Sequence, residues 1–249
     1  MDYKIFKGST IGYKNIVKNI NSQDYLDYKI VKDCIICCVA DGHSGEFFEF
    51  SHIGSKLACK AAINIIEDVV DKSESEILSM LKGEAIQQKI QEMWMDMVNE
   101  DYRKNNPVVF KTQYLKYSTT LIVLLITKDF RLYLKLGDGN IVVKEKNEFK
   151  NVIATKEHNI VDSLGRRDSF KNIMYRIENN NVDSIILFTD GYENSFRDEE
   201  KLYKSLDSTI NKYNGSIFSR LKLMKEYNLY LSKLSKTSSL DDISIIFIL

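Results

Sequence analysis

Five apolar runs in this chain carry an aspartate at one end, and they come from widely separated parts of the sequence. Cys34-Ile35-Ile36-Cys37-Cys38-Val39-Ala40 runs into Asp41-Gly42, and Ser184-Ile185-Ile186-Leu187-Phe188-Thr189 into Asp190-Gly191. Leu132-Tyr133-Leu134-Lys135-Leu136 leads to Gly137-Asp138-Gly139. Gln23-Asp24 precedes Tyr25-Leu26-Asp27-Tyr28-Lys29-Ile30-Val31, and Asp241-Asp242 precedes Ile243-Ser244-Ile245-Ile246-Phe247-Ile248-Leu249. Short apolar runs bounded by turn residues read as strands. One Asp-Gly after a strand is a common turn. Several distant strands that each offer a carboxylate at one end are how a divalent-cation site is assembled, because hard cations take carboxylate and carbonyl oxygens.

The turn Asp41-Gly42-His43-Ser44-Gly45 adds an imidazole to this set. Histidine is the side chain suited to proton transfer near neutral pH. The same turn also reads as a strand-to-helix junction, with Asp41 or Ser44 as the helix cap and Gly42 free to take positive φ. Taken alone, the turn supports both readings.

Taken together, the motifs resemble those of the metal-dependent protein phosphatases of type 2C. Asp41-Gly42-His43-Ser44-Gly45 is similar to that family's DGHxG motif, and Thr189-Asp190-Gly191 to its (S/T)DG motif. Asp241-Asp242-Ile243-Ser244 resembles D(N/D)x(S/T) before the last strand. Ser118-Thr119-Thr120 and Leu136-Gly137-Asp138-Gly139 resemble the (G/S)TT and GD(S/G) pair, and Gln23-Asp24 the N-terminal (E/Q)D. The motifs occur in the family's order across nearly the whole chain, in forms closer to a bacterial branch.

Composition is compatible with such an enzyme. A chain of 249 residues buries a sizeable core, and we expect one catalytic domain over residues 1–249. Lys+Arg and Asp+Glu are both 35, so no global basic excess points to nucleic acid or an anionic membrane. No apolar run approaches the length needed to span a bilayer. Met1-Asp2-Tyr3-Lys4 lacks the pattern of a signal peptide. A cytoplasmic monomer is the expectation. Cys34 and Cys37 have CxxC spacing, which admits a redox or zinc module as a third class of function. Residues three apart on a strand point to opposite faces, so packing as small apolar groups is the preferred account.

Phe47, Phe48, Ile53, Leu57, Ala61, Ile65 and Val69 recur at helical spacing, as do Ile77, Leu78, Leu81, Ile86, Ile90, Met93, Trp94 and Met97. Strands are expected near 117–126, 130–136, 140–145, 172–177 and 184–189, and helices near 198–211 and 216–234. Arg103-Lys104-Asn105-Asn106-Pro107 reads as a loop. This order suits an α/β layered (α+β) fold. The resemblance sharpens it to an αββα sandwich, two antiparallel sheets flanked by pairs of helices.

The resemblance also implies roles. Asp41 would bridge two divalent cations, Mn or Mg, and Gly42 would ligate one through its carbonyl. Asp190 and Asp241 would hold the other, with Asp24 accepting from behind. A water between the metals would attack phosphorus, and His43 would protonate the departing serine or threonine oxygen. Asp242 stays outside the metal ligands and reads as a strand cap. Two departures stand out. An arginine five residues before the N-terminal aspartate grips phosphate in many members; here that position is Asn19, with Lys18 beside it. Lysine binds phosphate only as a point charge, so Lys18 either takes over the arginine's contact with the substrate phosphate or is a solvated surface charge. Asn194 replaces an aspartate that helps hold a third metal in some members, which leaves Asp138 for that role and weakens the case for a third ion. The leading expectation is a serine/threonine protein phosphatase acting on a phosphoprotein such as a kinase or a kinase target. The alternative is a catalytically silent relative that binds a phosphoprotein as a regulatory module.

Overall fold

The computed structural model of the chain describes residues 3–105, 111–154, 162–179 and 182–249. In chain order its elements are β1 (Ile5–Thr10), α1 (Tyr13–Lys18), β2 (Asp24–Val31), β3 (Cys34–Asp41), α2 (Ser51–Glu67), α3 (Glu74–Lys82), α4 (Ala85–Asn105), β4 (Leu121–Ile126), β5 (Arg131–Leu136), β6 (Asn140–Glu145), β7 (Glu148–Asn151), β8 (Met174–Glu178), β9 (Ser184–Phe188), α5 (Asp190–Glu193), α6 (Glu199–Asn214), α7 (Ile217–Thr237) and β10 (Ile243–Ile248). One antiparallel sheet has the order β1-β10-β9-β6-β7, the other β2-β3-β4-β5-β8.

The sheets pack face to face, and each outer face carries helices. On β3, Ile35, Cys37 and Val39 point between the sheets, where they meet Ile122 and Leu124 of β4 and Ile185, Leu187, Ile246 and Ile248 of the opposite sheet. Ile36, Cys38 and Ala40 point the other way, onto a core that includes Ala58, Ala62 and Ile66 of α2 and Ile90 and Trp94 of α4. On the far side Ile186, Phe188, Ile245 and Phe247 pack against Leu206, Ile210, Tyr227 and Leu231 of α6 and α7. Both faces of the central strands are therefore buried. That is why these antiparallel strands read as unbroken apolar runs rather than alternating ones. The αββα sandwich expected from the motifs is the fold observed.

The CxxC cysteines fall on different faces, Cys37 between the sheets and Cys34 beside the helical core. All four cysteines are free. Burial pushes the Cys37 thiol up to about 12, with Asp27 adding to the effect, so the free side chain stays a thiol and packs as a small apolar group.

Several local expectations are corrected. The 117–126 strand begins only at Leu121, because Tyr114–Tyr117 forms a 3-10 turn. The second helical stripe is split at Gly83-Glu84, where Glu84 takes φ 59°. Arg103, Lys104 and Asn105, read as loop, finish α4, while Asn106 and Pro107 lie outside the described residues. No helix among the described residues is long and apolar enough to cross a membrane.

Candidate metal centre

Strand pairing brings the aspartates together. β2 and β3 run antiparallel with Asp24 directly opposite Asp41. β9 and β10 pair in the other sheet, so Asp190, just after β9, and Asp241, just before β10, arrive at the same end. The two groups meet across the sandwich: Thr189 Oγ1 donates to Asp24 Oδ2 at 2.7 Å. Asp138, in the turn between β5 and β6, lies near enough for its charge to act on Asp190 and on His43.

Each motif has a local reason. The Asp41 carbonyl accepts from Thr120 N at 2.8 Å and from Thr119 Oγ1 at 3.0 Å, and Asp41 N donates to Thr120 Oγ1 at 3.0 Å. The two threonines therefore clamp the end of β3. His43 N donates to the Ser118 carbonyl at 3.0 Å, which fixes the turn beyond the aspartate. A Cβ on Gly42 would come within 2.7 Å of the carbonyl oxygens of Gln23 and Ser51, so only glycine fits there. A Cβ on Gly191 would come within 2.0 Å of the Asp242 carbonyl oxygen, so glycine lets the start of α5 close onto β10.

The cluster is dense in carboxyl groups and partly buried: Asp24 is buried, while Asp41, Asp190 and Asp241 are half-buried. Burial holds the Asp24 and Asp41 carboxyls well above the usual carboxylate range, and neighbouring carboxylates push the same way: Asp242 on Asp24, and Asp24 and Asp190 on Asp41. Asp190 is raised by burial and then by Asp138. Asp24 Oδ1 is a buried oxygen without a hydrogen-bond partner. Burying several carboxylates costs free energy unless something positive compensates them. A hard divalent cation fits this all-oxygen donor set and the orphaned lone pairs. Among the described residues, however, no three acidic, histidine or cysteine side chains already close around one point. Mg and Mn keep several waters and use few protein ligands each, so a looser array still suits them.

One positive group already stands in the cluster, and sequence reasoning missed it. Lys14 Nζ lies 2.7 Å from Asp241 Oδ2. Burial works against the ammonium, but Asp241, with Asp41 and Asp242 behind it, outweighs that and holds Lys14 above its ordinary value. Lys18, one helical turn further along α1, is exposed in the helix's last turn, and Asn19 caps that helix in the left-handed region with φ 54°. Asn194 donates its amide to Asp190 Oδ2 at 3.0 Å, so it orients that carboxylate.

Asp242 has a separate task. Its Oδ1 accepts from Gly12 N at 2.5 Å, and its Oδ2 from Gln23 N at 2.6 Å and Asn15 Nδ2 at 2.9 Å. It ties the start of α1 and the approach to β2 onto β10, and so serves as a clamp between chain segments more than as a strand cap.

His43 flanks the cluster, edge-on to Phe48 with ring centroids 5.1 Å apart. Burial lowers its pKa; Asp138 opposes that and Arg166 adds to it. Arg166, with Phe47, Met95, Leu115 and Phe170, also lines a groove of about 1070 Å³. None of the cluster's aspartates lines this groove.

Comparison with known proteins agrees with this architecture. No protein of curated function matches the sequence. Among solved structures, a bacterial serine phosphatase superposes with a TM-score of 0.65 at 14% identity, covering 100% of this chain and 97% of that one. The catalytic domain of the serine/threonine protein phosphatase PstP, in complex with two manganese ions, gives 0.63 at 15% identity over 99% and 97%. The phosphatase Stp1 from Staphylococcus aureus gives 0.63 at 14% identity over 100% and 94%. At such identities the likeness speaks to the fold. The sequence carries the rest: residues 11–225 match the model of Protein phosphatase 2C, and the chain belongs to that family.

Proposed function

We propose that this protein is a metal-dependent phosphatase of phosphoserine and phosphothreonine in proteins. The observation that carries the proposal is the gathering of Asp24, Asp41, Asp190 and Asp241 at one end of two packed sheets, with His43 on the next turn. Asp41, the Gly42 carbonyl, Asp190 and Asp241 would hold two divalent cations, Mn or Mg, and Asp24 would stand behind them. When bound, such ions neutralise phosphate charge and make water a competent nucleophile at neutral pH.

The remaining work falls to the chain. The Thr119-Thr120 clamp fixes the Asp41 backbone, and Asn194 turns the Asp190 carboxylate. His43, on the turn beyond Asp41, would give a proton to the serine or threonine oxygen as it leaves. Lys18, exposed on α1, would meet the substrate phosphate as a point charge. With Asn194 engaged on Asp190, a third cation would have Asp138 as its remaining acidic partner.

The test is manganese-dependent release of phosphate from phosphothreonine and phosphotyrosine peptides by wild type and Asp41→Asn. We expect turnover of phosphothreonine that disappears in the variant. Turnover that survives Asp41→Asn, or that does not need the metal, would refute the proposal. The Lys14–Asp241 pair favours a second reading, a silent phosphoprotein-binding module. That reading predicts phosphopeptide binding without turnover at any manganese concentration.

A further inference from the structure

We infer that Lys14 is a built-in counter-ion for Asp241 that a divalent cation has to displace, so that this chain holds the cation at Asp190 and Asp241 more weakly than the one at the Gly42 carbonyl, with Asp41 shared by both. The inference rests on the proposal that Asp241 is a metal ligand, and deepens it.

The geometry is specific. Lys14 Nζ contacts Asp241 Oδ2 at 2.7 Å, and both side chains are about two-thirds buried (30% and 33% exposed). The lysine is delivered there by its backbone. Lys14 N donates to the Leu240 carbonyl at 3.0 Å, and Tyr13 N donates to Ser235 Oγ at 3.0 Å. On either side of it, Gly12 N and the Asn15 amide are both held by Asp242. The short helix α1 is thereby pinned to the α7–β10 junction, and its one inward-facing ammonium is carried to the residue next to the clamp. Two positive groups cannot share one carboxylate oxygen without repulsion, so the divalent ion and Lys14 compete for Asp241. Asp41, which both cations would share, feels the Lys14 charge at longer range and makes no ion pair of its own among the described residues; the cation at the Gly42 carbonyl therefore meets no direct competitor.

Calorimetric titration of the metal-free protein with manganese, without substrate, tests this. Wild type should show two unequal sites. Lys14→Met should tighten the weaker site about tenfold or more and leave the stronger one within about twofold, while Lys14→Arg, which keeps the charge, should resemble wild type. Metal-free Lys14→Met should also melt at lower temperature, since the acidic cluster has lost its counter-ion. Two manganese sites with the same affinities in wild type and Lys14→Met would overturn the role of Lys14 and leave the metal centre standing. Weaker binding in Lys14→Met would overturn it too, and would make Lys14 a group that orients Asp241 for the ion. No manganese binding in any variant would overturn both the inference and the metal reading beneath it.

Discussion

Asp24 and Asp41 stand directly opposite each other across the β2–β3 ladder. Like charges in that position are destabilising, and here Asp24 is buried and Asp41 half-buried, with Asp24 Oδ1 lacking any hydrogen-bond partner. A fold does not keep such a pair for stability. Asp24→Asn should therefore raise the melting temperature of the metal-free protein. The expected gain is about 1 kcal/mol, or about 2–4 °C for a chain of this size. The same variant should show a smaller manganese-induced rise in melting temperature than wild type, because less repulsion is left to relieve. Differential scanning fluorimetry with and without manganese reads both quantities. A metal-free melting temperature that falls would mean that the Thr189 bond to Asp24 matters more than the repulsion.

Asp242 should prove a structural residue. Its two carboxylate oxygens satisfy two backbone N–H groups and one side-chain amide at buried positions. Leaving a buried donor without its acceptor costs about 1–3 kcal/mol. Asp242→Ala should then lose about 3 kcal/mol or more in urea unfolding. Asp242→Asn, which keeps one carbonyl acceptor, should lose clearly less. Equal losses would show that the charge, and not the donor satisfaction, is what β10 needs there.

These two residues also show which parts of the site were legible in the sequence. Asp41 could be found because it ends a strand whose apolar run is unmistakable, and that run is long because both its faces are buried; Asp24 opens the half-exposed strand β2 and is marked instead by the Gln23-Asp24 pair in the motif set. The role of Lys14 could not. It lies in a six-residue helix whose Ile16 and Val17 are exposed, so no apolar stripe marks the element. Its partner is 227 positions away, and the clamp that brings them together, Asp242, looks in sequence like a second copy of its neighbour Asp241. β7 was missed for a related reason. It is a four-residue edge strand with the pattern exposed, half-buried, exposed, half-buried, and carries too little apolar signal to register.

Lys135 should make stability depend on pH in the alkaline range. The side chain is fully buried, near Asn140 Oδ1 at 3.4 Å and the Ile153 carbonyl at 3.2 Å. Burial pushes its pKa down to about 8, against the pull of Glu193 and Asp138. Unfolded, a lysine titrates near about 10.4. Between those values the unfolded chain holds a proton that the folded chain has released, so stability from this group rises with pH across that window. The slope cannot exceed about 1.4 kcal/mol per pH unit for one proton. Urea unfolding of wild type and Lys135→Met at pH 7, 8, 9 and 10 isolates it. The stability difference between the two proteins should shift in favour of wild type as pH rises. A difference that does not change with pH would remove Lys135 as the source.

His43 should matter in proportion to how badly the leaving group needs a proton. The side chain sits on the turn beyond Asp41, held by its own backbone bond to Ser118 and by the edge contact with Phe48. It can therefore be removed without touching the clamp on Asp41. A serine or threonine oxygen departs poorly as an alkoxide, whereas nitrophenolate departs readily without help. General acid catalysis contributes about 10²–10⁴-fold where it is needed. His43→Ala should then slow phosphothreonine peptide hydrolysis by a factor in that range and p-nitrophenyl phosphate hydrolysis by about tenfold at most. Manganese affinity measured in the same variant separates this from damage to the metal centre. An equal loss on both substrates with unchanged manganese binding would rule out the acid role. An equal loss with weakened binding would place His43 among the groups that shape the cation site.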